Sequence, residues 1–136
     1  MDDDLYRDEI LDYSESKAHR GRLEDPDYQA DLDNPLCGDC IHIELAVDDD
    51  GRIDRVRFEG RGCAISQASA AMLAEHLEGK SECAAREMTA DDMMSVLGIQ
   101  LTPARRKCGL LAWKAVNKAL DSAGPEANVG GRSRRP

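Results

Sequence analysis

Aromatic side chains are scarce: one Trp, one Phe and three Tyr in 136 residues. A core of stacked rings is therefore excluded, and the interior has to be built from aliphatic and small side chains. Long apolar runs are missing too. None reaches ten residues, too few for a membrane-spanning helix, which needs about 20. Positive charge is in short supply, with 18 Lys and Arg against 27 Asp and Glu and a net charge of -9. No stripe of Lys and Arg stands ready to meet phosphates, so a nucleic-acid partner is not expected. The opening Met1-Asp2-Asp3-Asp4 is the reverse of a basic export signal. The expected location is the cytoplasm, where thiols stay reduced. Histidines are few, at His19, His42 and His76, and no two have metal-ligand spacing.

Cysteine is what the chain does have: Cys37, Cys40, Cys63, Cys83 and Cys108. An odd count in a reduced compartment points to core filler, metal ligands or reactive groups rather than a disulfide framework. Length favours one domain, over residues 1–121, followed by a disordered tail at 122–136 that holds Gly, Pro and Arg without periodicity. Residues 1–36 carry 12 acids and 4 bases. Within them, 1–20 shows helical spacing, and 21–36 reads as an extended connection.

From Ile41 the period becomes two. Ile41, Ile43, Leu45 and Val47 share one face; His42, Glu44 and Ala46 take the other. Asp48-Asp49-Asp50-Gly51 is a turn, and a second strand over about 53–59 completes an antiparallel hairpin. An Ala- and Ser-rich helix follows over about 65–78, stopped by Gly79. Residues 81–97 read as one broken or two short helices, with a capping box at Thr89 and a stop at Gly98. Thr102-Pro103 opens a last helix to about 121.

Cys37 sits in Asn34-Pro35-Leu36-Cys37-Gly38-Asp39, Cys63 follows Gly-Arg-Gly before a helix, and Cys108 follows Arg105-Arg106-Lys107 early in the last helix. Nearby cations and helix starts favour the thiolate. Three bases in a first helical turn oppose the macrodipole, a local cost that suggests service to an anionic site. Three such cysteines together suggest a zinc or iron site, with Asp39 available as a harder fourth ligand. Taken singly, each also suits a buried apolar thiol. Cys40 is a spare ligand or a core residue, and Cys83 is expected to be buried. His19, His42 and His76 read as surface or structural histidines, and Trp113 as a core residue. Ser66 and Ser69 lack His–Asp partners for hydrolase chemistry.

These segments, together with Gly60-Arg61-Gly62-Cys63-Ala64-Ile65-Ser66, Gly79-Lys80-Ser81 and Lys107-Cys108-Gly109-Leu110-Leu111-Ala112-Trp113, resemble the NifU N-terminal/IscU/SufU family of iron–sulfur cluster assembly proteins. The likeness spans about Leu5 to Leu120. Lys107 stands where IscU-type scaffolds carry a histidine, as in the SufU type. The Cys63–Cys108 segment has the short length of the IscU type. The resemblance implies an α+β fold: a small antiparallel sheet of about three strands with helices packed on one face. It implies a site of Cys37, Asp39, Cys63 and Cys108, supported by Arg105 and Lys107. Zn²⁺ at rest is expected there, or else iron or a transient [2Fe–2S] cluster. The implied activity is zinc-dependent sulfur transfer, carried out with a SufS-like cysteine desulfurase rather than alone. Cys37 is expected to be the persulfide acceptor and Cys108 the second candidate. Downstream partners would be an iron–sulfur scaffold or apo-acceptor proteins. A scaffold building the cluster on the same ligands is the alternative. In the family, Asp39 is tied to lability of the bound metal or cluster.

Overall fold

The computed structural model describes residues 2–34, 38–98 and 101–133, with side chains described throughout except at 2–7, 104 and 122–133. The element order is α1 (Asp2–Glu15), β1 (Tyr28–Asn34), β2 (Asp39–Val47), β3 (Ile53–Arg61), α2 (Ala64–Leu77), α3 (Glu82–Glu87), α4 (Ala90–Leu97) and α5 (Pro103–Ser133). The strands form one antiparallel sheet in the order β1-β2-β3. This is the α+β arrangement expected from the sequence.

Alternation makes the sheet one-sided. Ile41, Ile43, Leu45 and Val47 of β2 are buried, as are Val56 and Phe58 of β3. α5 covers β1 and β2, and α2 covers β3 and packs against α5. Small side chains let α2 lie deep: Ala68, Ser69 and Ala74 have no exposed surface. α1 and α4 close over its other flanks, so α2 is buried on nearly all sides rather than along one stripe. Each large aliphatic side chain sealed there contributes about 1.5–3 kcal/mol.

The hairpin turn works as its residues dictate. Asp48 Oδ1 accepts from the N–H groups of Asp50 (2.9 Å) and Arg52 (3.0 Å), an Asx turn that Gly51 completes at φ 83°. Residues 81–97 form two helices, α3 and α4. The reciprocal capping box at Thr89–Asp92 and the left-handed Gly98 bound α4.

Three expectations change. The connection at 21–36 contains strand β1, whose Tyr28, Ala30 and Asn34 face inward. Its acids, Asp31 and Asp33, occupy the outward positions, so the alternation was diluted by charge. The first helix ends at Glu15. Beyond it His19–Gly21 runs along the free edge of β3: Phe58 N–H donates to His19 O (2.9 Å) and Gly21 N–H to Phe58 O (3.0 Å). The last helix continues to Ser133 instead of ending at Asp121. Extending an established helix costs far less than starting one, and the chain proceeds even through Pro125.

Candidate metal centre

Asp39 opens β2, opposite Asn34 in the register of β1. It is 2% exposed, unusually deep for a carboxylate. Its Oδ1 accepts from the backbone N–H of Cys63 at 3.1 Å. Its Oδ2 is buried with no hydrogen-bond partner among the described residues. A carboxylate oxygen left bare in a protein interior costs free energy unless a cation or proton meets it.

Gly62 makes that approach possible. A Cβ there would lie 2.2 Å from Asp39 Oδ1 and 2.7 Å from Ser66 Oγ, and the residue sits at φ 150°. Only glycine fits. Cys63 is the N-cap of α2, yet its side chain makes no capping bond. Its thiol is exposed and uncommitted. Ser66 Oγ instead donates to Cys63 O (3.0 Å), and Ser69 Oγ to Ser66 O (3.1 Å). Those hydroxyls tie down the first turns of α2, as expected of serines without a His–Asp pair.

Cys108 comes from the second turn of α5 and is 5% exposed. Thr102 caps that helix, its Oγ1 accepting from Arg105 N–H at 3.4 Å. Gly109 lets the end of α4 and Leu101 beyond it come close: a Cβ would meet Leu101 Cδ1 at 2.9 Å and Leu97 Cδ1 at 3.0 Å. The result is convergence. One ligand atom each from Asp39, Cys63 and Cys108 lie within 4.8 Å of one another. A tetrahedral zinc holds two sulfurs about 3.8 Å apart, from Zn–S bonds of about 2.3 Å. The three donors therefore lie within the span that one ion draws together. Two thiolates and a carboxylate suit zinc or ferrous iron.

Cys37, the fourth expected ligand, lies outside the described residues. Arg105, Arg106 and Lys107 are exposed, in the turn leading to Cys108. Cys40 is half-buried on the other face of the sheet. It lines a shallow hollow of about 520 Å³ with Asp31, Asp33, His42, Glu59 and Arg61, away from the three donors. Cys83 is exposed, against the expectation of burial. α3 is six residues long and turns Glu82 and Ala85 inward, leaving Cys83 outward.

Two histidines are structural, and His76 is exposed on α2. His19 pairs with Glu78 at 3.1 Å. His42 bridges Asp31 (Nδ1, 2.8 Å) and Glu44 (Nε2, 2.7 Å). Burial alone would raise the Glu44 carboxyl. The Leu23 N–H, His42 and Arg22 outweigh it and hold Glu44 below the ordinary carboxylate range. Trp113 is partly buried, its Nε1 donating to Met88 O at 3.1 Å. Sequence reasoning missed the part played by Gly62. The signal was the Gly60-Arg61-Gly62 sequence, read there only as the lead-in to Cys63 and as part of the family likeness.

Comparison with known proteins agrees with this geometry. Residues 5–123 match the NifU-like N terminal domain. The chain is 35% identical over 135 residues to the zinc-dependent sulfurtransferase SufU of Bacillus subtilis, covering 87% of this chain and 90% of that one. It is 36% identical over 132 residues to the iron-sulfur cluster assembly scaffold protein IscU of Thermotoga maritima, covering 85% and 92%. A crystal structure from Fervidobacterium islandicum, assigned to iron-sulfur cluster assembly scaffolding for the SUF system, superposes with a TM-score of 0.71 at 31% identity, over 83% of this chain and 94% of that one. With the family matched from α1 into α5 and the three donors gathered inside that match, the chain belongs to the family of NifU-like N-terminal domains.

Proposed function

We propose that this protein accepts sulfur from the persulfide of a SufS-like cysteine desulfurase and passes it toward iron–sulfur cluster assembly. It would act with that enzyme rather than alone. One observation carries the reading: Asp39, Cys63 and Cys108 converge within 4.8 Å around a buried carboxylate oxygen that no group among the described residues satisfies. Cys37 would supply the fourth ligand of a resting Zn²⁺. Bound there, zinc keeps thiols deprotonated near neutral pH. The likeness to a zinc-dependent sulfurtransferase supports that choice of metal.

The chain's own residues define the transfer. Cys37 thiolate attacks the outer sulfur of the enzyme's persulfide. A bond forms between Cys37 Sγ and that sulfur, and the enzyme's S–S bond breaks. The enzyme keeps the departing thiolate, and the outer sulfur carries its proton across. Cys108 is a poorer acceptor than its sequence setting suggested, because 5% exposure leaves no room for an incoming disulfide-like group. Asp39 stays fixed through the Cys63 N–H, so its other oxygen can hold or release a cation without rebuilding the loop. No helix among the described residues is long and apolar enough to cross a membrane, in keeping with a cytoplasmic setting.

A second reading keeps the same donors but makes a [2Fe–2S] cluster the cargo, handed on to apo-acceptor proteins. The likeness to an IscU scaffold favours it. Anaerobic purification, elemental analysis and incubation with the desulfurase and cysteine separate the two. Sulfur transfer predicts retained zinc, a raised desulfurase rate, and a mass increase of one sulfur on Cys37 that Cys37→Ser abolishes. Cluster absorbance growing on this protein, without persulfide on Cys37, overturns transfer in favour of scaffolding.

A further inference from the structure

Asp39 Oδ2 has a counterpart. Among the described residues, two buried side-chain polar atoms lack a hydrogen-bond partner, and the other is Asn34 Nδ2. Asn34 closes β1 and is 8% exposed. It stands directly opposite Asp39 in the β1–β2 register, so both side chains leave the same face of the sheet, with Cβ atoms about 4.5–5.5 Å apart. The Gly38 N–H donates to Asn34 O at 2.9 Å, which fixes the backbone at this end of the strand pair. α5, the helix that carries Cys108, covers β1 on that face. The two unsatisfied atoms are therefore neighbours at the metal centre, and they are opposite in kind. The carboxylate oxygen only accepts, and the amide nitrogen only donates. They do not bond to each other, although a bond between them would remove the cost of leaving both bare.

We propose that Asn34 is a positioning residue of the centre, its amide N–H donating to a metal-bound sulfur while the metal takes Asp39 Oδ2. A cation alone satisfies the carboxylate oxygen and leaves the amide bare. An anion alone does the reverse. A metal ion with a thiolate on it presents a positive and a negative atom side by side, and meets both demands. The sulfurs are at hand, because one donor atom each of Cys63 and Cys108 lies within 4.8 Å of the Asp39 carboxylate. A hydrogen bond to a coordinated thiolate draws off part of its charge and fixes its orientation, as the outer partners of metal ligands do. Asn34 itself stays outside the ligand set, since its free group is a donor. The inference rests on the metal reading of the site and not on where the sulfur goes afterwards.

The test compares wild type with Asn34→Leu, which keeps the side chain's approximate shape and removes the donor. Each protein is studied metal-free, zinc-loaded and cobalt-loaded, because sulfur-to-cobalt charge-transfer absorption reports on the coordinated thiolates. The variant should give up its metal to a competing chelator at about tenfold lower chelator concentration. Its charge-transfer band should move to longer wavelength, since a sulfur without the hydrogen bond parts with an electron more readily. Metal-free Asn34→Leu should melt no lower than metal-free wild type, because an apolar side chain replaces a donor that nothing met. Where leucine does not fit, Asn34→Ala weakens both forms alike through the space it opens, and the gain in melting temperature on loading should still shrink. Metal retention and charge-transfer absorption equal to wild type overturn the inference and leave the centre standing. A lower melting temperature of metal-free Asn34→Leu with an unmoved charge-transfer band also overturns it, and makes Asn34 a residue of the fold. Wild type that takes up neither cobalt nor zinc overturns the metal centre, and this role of Asn34 with it.

Discussion

At the scale of single residues, the site depends on a missing side chain as much as on the thiols. Gly62→Ala would drive a methyl group into Asp39 Oδ1 and place an alanine at φ 150°. A strained backbone of this kind costs about 1–3 kcal/mol, and the carboxylate must move. Expected outcomes are a melting temperature lower by several degrees and weaker metal retention, read by calorimetry and elemental analysis. Full retention would remove Asp39 from the ligand set. Glu44 gives a second residue-scale prediction. Its folded pKa is depressed, so its contribution is present above the unfolded value, near 4.3. That contribution is lost as pH falls through the lower folded value. Glu44→Gln should therefore flatten the acid side of the stability curve below about pH 4.5, with little change in its shape above neutrality. An unchanged acid limb in denaturant titrations would show that Glu44 is not a source of acid sensitivity. Asp39, Cys63 and Cys108 stood out in the sequence because Gly38, Gly62 and the Thr102-Pro103 helix start mark their surroundings as loop or helix ends, and the structure brings the three together. The state of Asp39 was not legible. Burial and an orphaned oxygen arise from the meeting of β2 with the start of α2, which no local pattern encodes.

Elements were legible where one periodicity ruled. The β2–β3 hairpin, α2 and the capped start of α4 follow from alternation, small-residue content and the Thr89 box. β1 was hidden because Asp31 and Asp33 made its outward positions look like a charged connection. The last helix was cut short because Gly124 and Pro125 are stop signals locally, whereas a helix already anchored on the sheet propagates past them. That same helix opens on Arg105 and Arg106 and leads to a prediction. Replacing Arg105 and Arg106 by Glu puts acids where the macrodipole favours them. It should stabilise the fold by about 0.3–1 kcal/mol per site at low salt. Denaturant unfolding checks this. A destabilised variant would mean that the two arginines make bonds the fold relies on.

For the whole molecule, the core and the centre are separable. The aliphatic core between the sheet, α2 and α5 is expected to hold without metal, whereas Asp39, Cys63 and Cys108 come from separate elements that an ion would cross-link. A tight chelator should lower the melting temperature, since binding to the folded form alone adds stability by mass action. Helical circular dichroism should persist. Complete unfolding on chelation would show the core to be too weak alone. The backbone bonds between His19–Gly21 and Phe58 bear on a different hazard. A three-stranded sheet has two margins, and an open margin recruits strands from other molecules. The segment before β1 works as a selvedge on the β3 side: it occupies the Phe58 N–H and C=O, and Glu78 Oε2 takes the Val56 N–H at 2.9 Å. Trimming the chain to begin at residue 23 would leave the donors of the metal centre in place. It should nonetheless give a protein that self-associates as its concentration rises, visible in light scattering. A trimmed chain that stays monomeric at high concentration would show that β3 needs no such finish.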